Sequence, residues 1–272
     1  MMVFLRVVLV AVAAVICSVT VYAQQYNFKG GHSHNDYLQK RPLFEALENG
    51  MVSIEADVFL RSGKLLVGHN ENNLRLEQTL EHLYLNPLLQ LTRDSSKKFN
   101  PIILMIDIKD KGKETYTELK KMLIPYLEML TCFSDNKIRQ KLVTIIISGD
   151  RPVEILKKET LRYAFLDGRI SDIDKFKDSN LFLLISDDWN TYFTWKGKEE
   201  ISKKDYEKLC CLTEACHSQN KMIRFWGMPD ELSESVNYWN VLRNAGVDLI
   251  GCDCPSCFSN YLNKLDEKQI KK

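Results

Sequence analysis

Ser53-Ile54-Glu55-Ala56-Asp57-Val58 reads as a strand with two chemistries, one on each face. Side chains alternate across a strand, so Ile54, Ala56 and Val58 share one side while Glu55 and Asp57 share the other. The apolar side suits packing under helices, which turns both carboxylates toward the mouth of a barrel. Residues 102–109 repeat the arrangement: Ile102, Leu104, Ile106 and Ile108 face out, and Asp107 and Lys109 face in. Three carboxylates then approach one another in a partly dry cleft. Two like charges about 4 Å apart repel by roughly 4 kcal/mol at an effective dielectric of about 20. Either a carboxyl takes up a proton with a raised pKa, or a cation binds. Lys109 compensates one charge and not three. All-oxygen ligation favours one divalent cation, Mg²⁺ or Ca²⁺, over zinc. Carboxylates salt-bridged to basic rim residues are the bland alternative, and a single Glu-x-Asp would deserve it. The same pattern on two strands favours a metal held by Glu55, Asp57 and Asp107.

Outward from this pair, apolar runs at residues 28–31, 52–60, 102–109, 143–148, 163–166, 181–186, 222–225 and 248–252 predict strands. Helical patterns fall between them at 42–49, 77–91, 113–130, 152–158, 202–220 and 231–245. The connection after 163–166 is too short for a full helix. Strands alternating with helices predict an α/β fold with a parallel sheet, and eight of them predict a TIM-type (β/α)8 barrel. An open doubly wound sheet is the alternative, but no glycine-rich turn follows the first run. Polar groups gather where each run ends: His32 and His34, Glu55 and Asp57, Asp107 and Lys109, Ser148 and Asp150. Asp167 and Arg169, Ser186 and Asp187, Arg224 and Trp226, and Asp253 continue the series. In a barrel those ends converge on one rim, where an active site sits.

The first residues read as an export signal: Arg6, an apolar run from Val7 to Ile16, and a small-x-small site at Val21-Tyr22-Ala23. Residues 1–23 are therefore expected to be removed, leaving one barrel domain over 24–272 that is secreted or periplasmic. That length suits a barrel of about 250 residues. No other stretch is long enough to span a membrane. The chain carries 37 basic and 36 acidic residues, and losing Arg6 balances them. A neutral chain has no electrostatic footprint for nucleic acid. With Cys17 in the leader, an odd number of cysteines remains, three near residue 210 and three at Cys252, Cys254 and Cys257. Disulfides or buried thiols are the expected reading, with a zinc site joined by His217 as the minority one.

Histidine is scarce, and His82 and His217 lie in helical patterns as ordinary residues. His32, His34 and His69 sit beside strand ends. Two imidazoles across a metal-bound phosphate provide what phosphodiester cleavage needs, a base for the nucleophile and an acid for the leaving alkoxide. The metal and Lys109 would stabilise the added charge of the transition state. Trp189, Tyr192, Phe193 and Trp195 either wall a substrate pocket or form a loop's own core.

Gly31-His32-Ser33-His34-Asn35-Asp36-Tyr37, Pro42, Gly50, the 53–58 strand and Val67-Gly68-His69 resemble the glycerophosphodiester phosphodiesterase and phosphatidylinositol-phospholipase-C-like superfamily. The branch they resemble carries a His-Ser/Ala-His-Asn-Asp-Tyr motif and includes the altered-inheritance-of-mitochondria proteins. Asp107-Ile108-Lys109, Ser148-Gly149-Asp150-Arg151-Pro152, Arg224-Phe225-Trp226-Gly227 and Gly246-Val247-Asp248-Leu249-Ile250 extend the likeness along the chain. It implies a TIM-type barrel, metal ligation by Glu55, Asp57 and Asp107, and acid/base roles for His34 and His69. Lys109 matches a lysine of the site in sphingomyelinase-D-type lipases. His32, Asn35, Arg224 and Trp226 would meet the substrate, a small-molecule or lipid phosphodiester. The chain departs from the glycerophosphodiesterase opening motif at Asn35, where that motif has arginine, and at Leu43, where it has glutamate. It also lacks the Thr-x-Asp before the second histidine. The resemblance therefore implies the phosphodiester chemistry and not a glycerol head group.

Two other classes compete. A metal amidohydrolase-like enzyme opens on the same His32-x-His34 but needs further histidines at later strand ends. A secreted ligand-binding or catalytically lapsed barrel would keep the cleft, though such a site tends to lose at least one of the carboxylates and histidines kept here.

Overall fold

Runs such as Ile102–Ile108 and Val143–Gly149 are rich in β-branched residues and buried on both sides. That composition belongs to strands of a parallel sheet whose faces are both covered. The computed structural model describes residues 28–270, apart from residues 95, 97, 98, 178, 230 and 231. The expected export signal, with Arg6, Cys17 and Ala23, lies outside the described residues.

The strands in chain order are β1 (Gly30–Ser33), β2 (Ser53–Arg61), β3 (Lys64–Val67), β4 (Ile102–Ile108), β5 (Cys132–Ser134), β6 (Lys137–Arg139), β7 (Val143–Gly149), β8 (Ala164–Gly168), β9 (Phe182–Asp188), β10 (Met222–Trp226) and β11 (Leu249–Cys252). Eight of them run parallel in the order β1-β2-β4-β7-β8-β9-β10-β11, and β1 also pairs with β11, which closes the barrel. All eight predicted strands are present and form the predicted TIM-type barrel. Helices α1 (Phe44–Glu48), α2 (Asn86–Arg93), α3 (Gly112–Met122), α4 (Val153–Leu156), α5 (Trp189–Tyr192), α6 (Lys203–His217), α7 (Leu232–Asn244) and α8 (Pro255–Ile270) lie between and after the strands. Among the described residues no helix is long and apolar enough to cross a membrane.

Packing separates the two faces of each strand. Ile54, Ala56, Val58, Leu104, Ile106 and Ile108 join the outer layer under the helices. Ile103, Met105, Ile146, Phe165, Leu184, Met222 and Leu249 fill the barrel itself and plug it from below. Burying each such side chain contributes about 1.5–3 kcal/mol. The site therefore rests on a dry, packed floor.

Four details differ from the sequence expectation. β1 begins two residues later than predicted, which puts His32 inside the strand rather than past its end. The helix expected over 113–130 stops at Met122, because Pro125 lacks the N–H that would continue it. A Ser62-Gly63 turn, both residues at positive φ, folds β3 back antiparallel on β2, and β5 and β6 form a small separate hairpin. Residues 255–270, read only for Cys257, form α8, opened by a proline where a missing N–H costs nothing. The crossover between β8 and β9 holds only a short 3₁₀ turn, Ile170–Asp172, as its length demanded.

Candidate active site

β2 and β4 lie side by side with Asp57 directly opposite Asp107 and Glu55 opposite Met105. Equal register turns the acids to the same side, so Glu55, Asp57 and Asp107 each offer a carboxylate oxygen within 4.8 Å of the others. Asp57 is wholly buried. Its Oδ2 accepts hydrogen bonds from Tyr37 (2.8 Å) and His69 Nδ1 (3.0 Å) and pairs with Lys109 Nζ (2.9 Å), while its Oδ1 has no partner among the described residues. Lys109 Nζ also reaches Asp107 Oδ1 at 3.4 Å. Burial, with the Asp57 and Glu55 charges, pushes Asp107 up to about 6 against the pull of Lys109. Lys109 itself is raised: burial works against its charge, and the Asp107 and Asp57 carboxylates outweigh burial. Lys109, with Arg224 on the Glu55 side (3.5 Å), still leaves three acids short of positive charge.

Gly149 explains the Ser-Gly-Asp sequence at the end of β7. It adopts φ 69°, and a Cβ there would collide with Asp107 Oδ1 and the Ile108 carbonyl. The glycine is what lets β7 pass so close to the third carboxylate.

The loop after β1 places several groups at once. Asn35 takes a left-handed conformation (φ 48°) that asparagine tolerates. Asp36 turns inward and accepts from Ser33 Oγ, the Leu43 N–H and Tyr84, so it ties the loop to the core, and burial raises its pKa. Tyr37 then sets its hydroxyl between Asp57 Oδ2 and Asn35 Oδ1. The β2–β3 hairpin does the same for the second histidine, since the Gly68 N–H donates to the Asp57 carbonyl (3.1 Å) and leaves His69 beside that carboxylate.

His32 does not stand where the sequence put it. It was expected against the substrate, but it is wholly buried, with Nε2 on Glu55 Oε2 (2.9 Å) and Nδ1 on Ser53 Oγ (2.7 Å). Burial and the Arg224 charge lower its pKa to about 4, so the ring is neutral. A neutral ring facing a carboxylate must donate through Nε2, and Nδ1 then accepts from the serine. Its place is behind Glu55. Burial opposes the Glu55 charge, but the His32 hydrogen bond and Arg224 win and hold that carboxyl far below the usual range.

His34 lies at the open mouth, with Nδ1 2.6 Å from Asp253 Oδ1. Asn35 Nδ2 is 3.4 Å from both ring nitrogens, a position over the ring rather than along a lone pair. Arg224 is buried with one guanidinium nitrogen 3.5 Å from Glu55 Oε2, and its Nε has no partner among the described residues. His34, Arg224, half-exposed Trp226, Met228, Trp239 and Asp253 border a cavity of about 280 Å³. Sequence reading missed Tyr37, Ser53 and Asp253. Tyr37 lay inside the quoted motif and Asp253 in the series of polar strand ends, so each carried a faint signal.

Other candidates separate from the site. Trp189 and Phe193 are buried and stacked at 4.1 Å, with Phe225 and Tyr238 edge-on to Trp189, so these aromatics form the loop's own core. Cys254 and Cys257 form a disulfide at the start of α8. Cys216 and Cys252 are buried thiols, each pushed up to about 12 by burial. His217 bonds Asp248 (2.8 Å), and among the described residues the only cluster fit for a metal is the acidic trio.

Comparison with known proteins agrees with this fold. A model of the AIM6-like phosphodiesterase domain matches residues 23–101 and 94–167. Altered inheritance of mitochondria protein 6 of Eremothecium gossypii is 31% identical over 270 residues, spanning 85% of this chain and 68% of that protein. Its homolog in Arthroderma benhamiae is 27% identical over 267 residues, spanning 85% and 82%. Among solved structures, a glycerophosphodiester phosphodiesterase from Parabacteroides distasonis superimposes with a TM-score of 0.52 at 14% identity, covering 89% of this chain and 98% of that one. A glycerophosphoryl diester phosphodiesterase from the same organism gives 0.53 at 13% identity, covering 90% and 89%. At those identities the structural likeness is one of fold.

Proposed function

The chain belongs to the AIM6-like phosphodiesterase family, and from that membership we propose that it is an exported, metal-dependent phosphoric diester hydrolase. Its substrates would be glycerophosphodiesters or phospholipid-type diesters. The observation that carries this reading is the convergence of Glu55, Asp57 and Asp107 with a buried Asp57 oxygen left over. A buried carboxylate oxygen without a donor is costly, and a cation removes that cost. The all-oxygen donor set fits Mg²⁺ or Ca²⁺. When bound, such a cation supplies a Lewis acid at a phosphoryl oxygen and cancels the crowded charge.

The remaining chemistry belongs to side chains of this chain. Lys109 and Arg224 present positive charge to an anionic diester from two sides of the trio. His34 and His69 are each held through Nδ1 by a carboxylate, which leaves Nε2 of each for proton transfer. One takes the proton of the attacking oxygen, from water or a substrate hydroxyl, and the other gives one to the leaving alkoxide. Trp226 and Asn35 border the place where the diester sits. His32 keeps Glu55 ionised and aimed. The Cys254–Cys257 disulfide supports an oxidising compartment and hence export.

Hydrolysis of bis(p-nitrophenyl) phosphate tests the reading. Turnover should require Mg²⁺ or Ca²⁺, stop with chelator, and be lost in His69→Ala. No turnover under any metal would favour a ligand-binding barrel, and an unimpaired His69→Ala variant would refute the role of that histidine. The amidohydrolase-like alternative needs His32 on a metal, and both His32 nitrogens are already engaged.

A further inference from the structure

We infer that Arg162, Lys157 and Lys158 form a second anion site, at the end of the barrel away from the mouth, and that it takes a phosphate group. The three residues line a cavity of about 780 Å³ with Phe133 and Asn180. Arg162 precedes β8, Phe133 lies on β5 ahead of β7, and Asn180 precedes β9, so the cavity sits where strands enter the barrel. The acidic trio faces the opposite end. This site is independent of the phosphodiesterase reading.

Arg162 is the anchor. It is only 6% exposed, and a guanidinium keeps its charge when buried. Its N–H donates to the Phe133 carbonyl (3.1 Å) and its carbonyl accepts from the Phe133 N–H (2.9 Å), which fixes the stem. The guanidinium carbon lies 3.9 Å from the centre of the Phe133 ring and 5.4 Å from that of Phe165, one of the residues that plug the barrel. One nitrogen donates to the Asn180 carbonyl at 2.8 Å, and Nε has no partner among the described residues. Two ring faces and one carbonyl offer partial negative charge, not a counter-ion.

A buried cation ordinarily has an acid beside it. Among the described residues no carboxylate pairs with Arg162. Two acids border the cavity and both are engaged elsewhere, Glu159 with Lys120 and the Tyr116 hydroxyl, and Asp135 with Arg139. Burial lowers the Arg162 pKa, and nearby Tyr116 and Glu159 do not restore it. Lys157 and Lys158 stand exposed on the same wall, and no carboxylate among the described residues pairs with either. A fork held this still matches two oxygens of a phosphate. The two ammonium groups suit its second negative charge, which a simple carboxylate would not supply.

Titration calorimetry with inorganic phosphate, in metal-free chloride buffer, tests the site on the whole chain. Saturable binding is expected, weakened at least about tenfold in Arg162→Met, the scale of losing a charge-assisted hydrogen bond. Lys157→Gln with Lys158→Gln touches only exposed side chains and should weaken it about threefold or more. That double variant decides the matter if Arg162→Met does not fold, and undiminished binding in it would then overturn the inference. Lys109→Gln, at the mouth, should leave the binding in place; a loss there instead would put the anion beside the trio and overturn the inference. The melting temperature should rise by roughly 5–10 °C at a phosphate concentration 100 times the Kd, against chloride of equal ionic strength. Phosphate also stabilises proteins by exclusion from their surface, so an equal rise in Arg162→Met would count against the site. Acetate bound as tightly as phosphate would overturn the ligand class. Asp178, two residues before Asn180, lies outside the described residues. Binding absent from the wild type and gained in Asp178→Asn would show that the chain's own acid fills the place, and would overturn the inference.

Discussion

Two wholly buried aspartates stand at the mouth of this barrel, and they have opposite surroundings. Asp167 on β8 has its Oδ2 filled by Ser148 Oγ (2.9 Å), Ser186 Oγ (2.6 Å) and the Arg169 guanidinium (2.9 Å). One charge meets one counter-charge and two hydroxyls. Asp57 on β2 also has three partners on Oδ2, but Glu55 and Asp107 crowd the same space and Lys109 is shared between two of the three acids. Both aspartates have an Oδ1 without a partner among the described residues. Around Asp57, Lys109 and Arg224 face three acids, so one negative charge is left over, and the rise of Asp107 to about 6 accompanies it. A buried acid is therefore no mark of a site by itself. An uncompensated group of them is.

Removing each acid in turn should break or confirm that distinction. Asp57→Asn removes the central charge of the trio and should reduce turnover on the order of 10²–10³-fold, the scale of losing one preorganised electrostatic contact. The variant should also lose cation stabilisation, which for the wild type would be about 2.7 kcal/mol at a cation concentration 100 times the Kd. Thermal melts with and without Mg²⁺ or Ca²⁺ read this directly. A melting temperature in Asp57→Asn that still climbs with cation would mean the metal sits elsewhere. Asp167→Asn should respond to cation as the wild type does.

Gly149→Ala approaches the same trio from behind. The new Cβ must displace Asp107 or the Ile108 carbonyl, and φ 69° is strained for alanine. A stability loss of about 1–3 kcal/mol is expected from the backbone alone, together with weakened cation binding. A variant that loses stability but keeps its cation response would show that Asp107 is dispensable as a ligand.

Asp167→Ala is the counterpart on the compensated side. It leaves two serine hydroxyls short of an acceptor and Arg169 without its counter-charge, which should cost about 1–3 kcal/mol in a urea titration. Turnover per folded molecule should stay within about twofold, as for a change with no stake in the transition state. A large fall in turnover at full stability would place substrate on this side of the mouth and erase the contrast.

The residues differ in how visible they were in sequence. Glu55, Asp57, Asp107 and Lys109 were legible because alternation along a strand is local, and two strands carried the same pattern. The eight strands were legible for the same reason. His32 was misplaced because a two-residue shift in the start of β1 moved it from the strand's end into the strand, and only the Ser53 pairing reveals that. Asp253 was seen as a polar strand end and not as a partner of His34, since barrel closure joins the chain's first and last strands and no local spacing encodes it. The start of α8 was hidden because Cys257, its one cysteine, completes the Cys252-x-Cys254-x-x-Cys257 run, whose spacing suggests ligands or disulfides rather than a helix. Asp167 looked like Asp57, since a sequence shows that an acid is present and not whether an arginine lies beside it.

The smallest expected effect comes from an imidazole–carboxylate pair at the other end of the barrel. His217 Nε2 lies 2.8 Å from Asp248 Oδ2, much as His34 lies from Asp253 and His69 from Asp57. But Asp248 precedes β11 whereas Asp253 follows it, so this pair sits where strands enter the barrel, and the Ile223 N–H shares its carboxylate (2.9 Å). It stitches α6 to the start of β10 and β11. His217→Ala should therefore cost about 0.5–1.5 kcal/mol, the net worth of one hydrogen bond, and leave kcat, KM and the cation response in place. Bound zinc lost on this substitution would revive a cysteine–histidine metal site. A fall in kcat would mean that contact chemistry, rather than position at the mouth, decides which histidines matter.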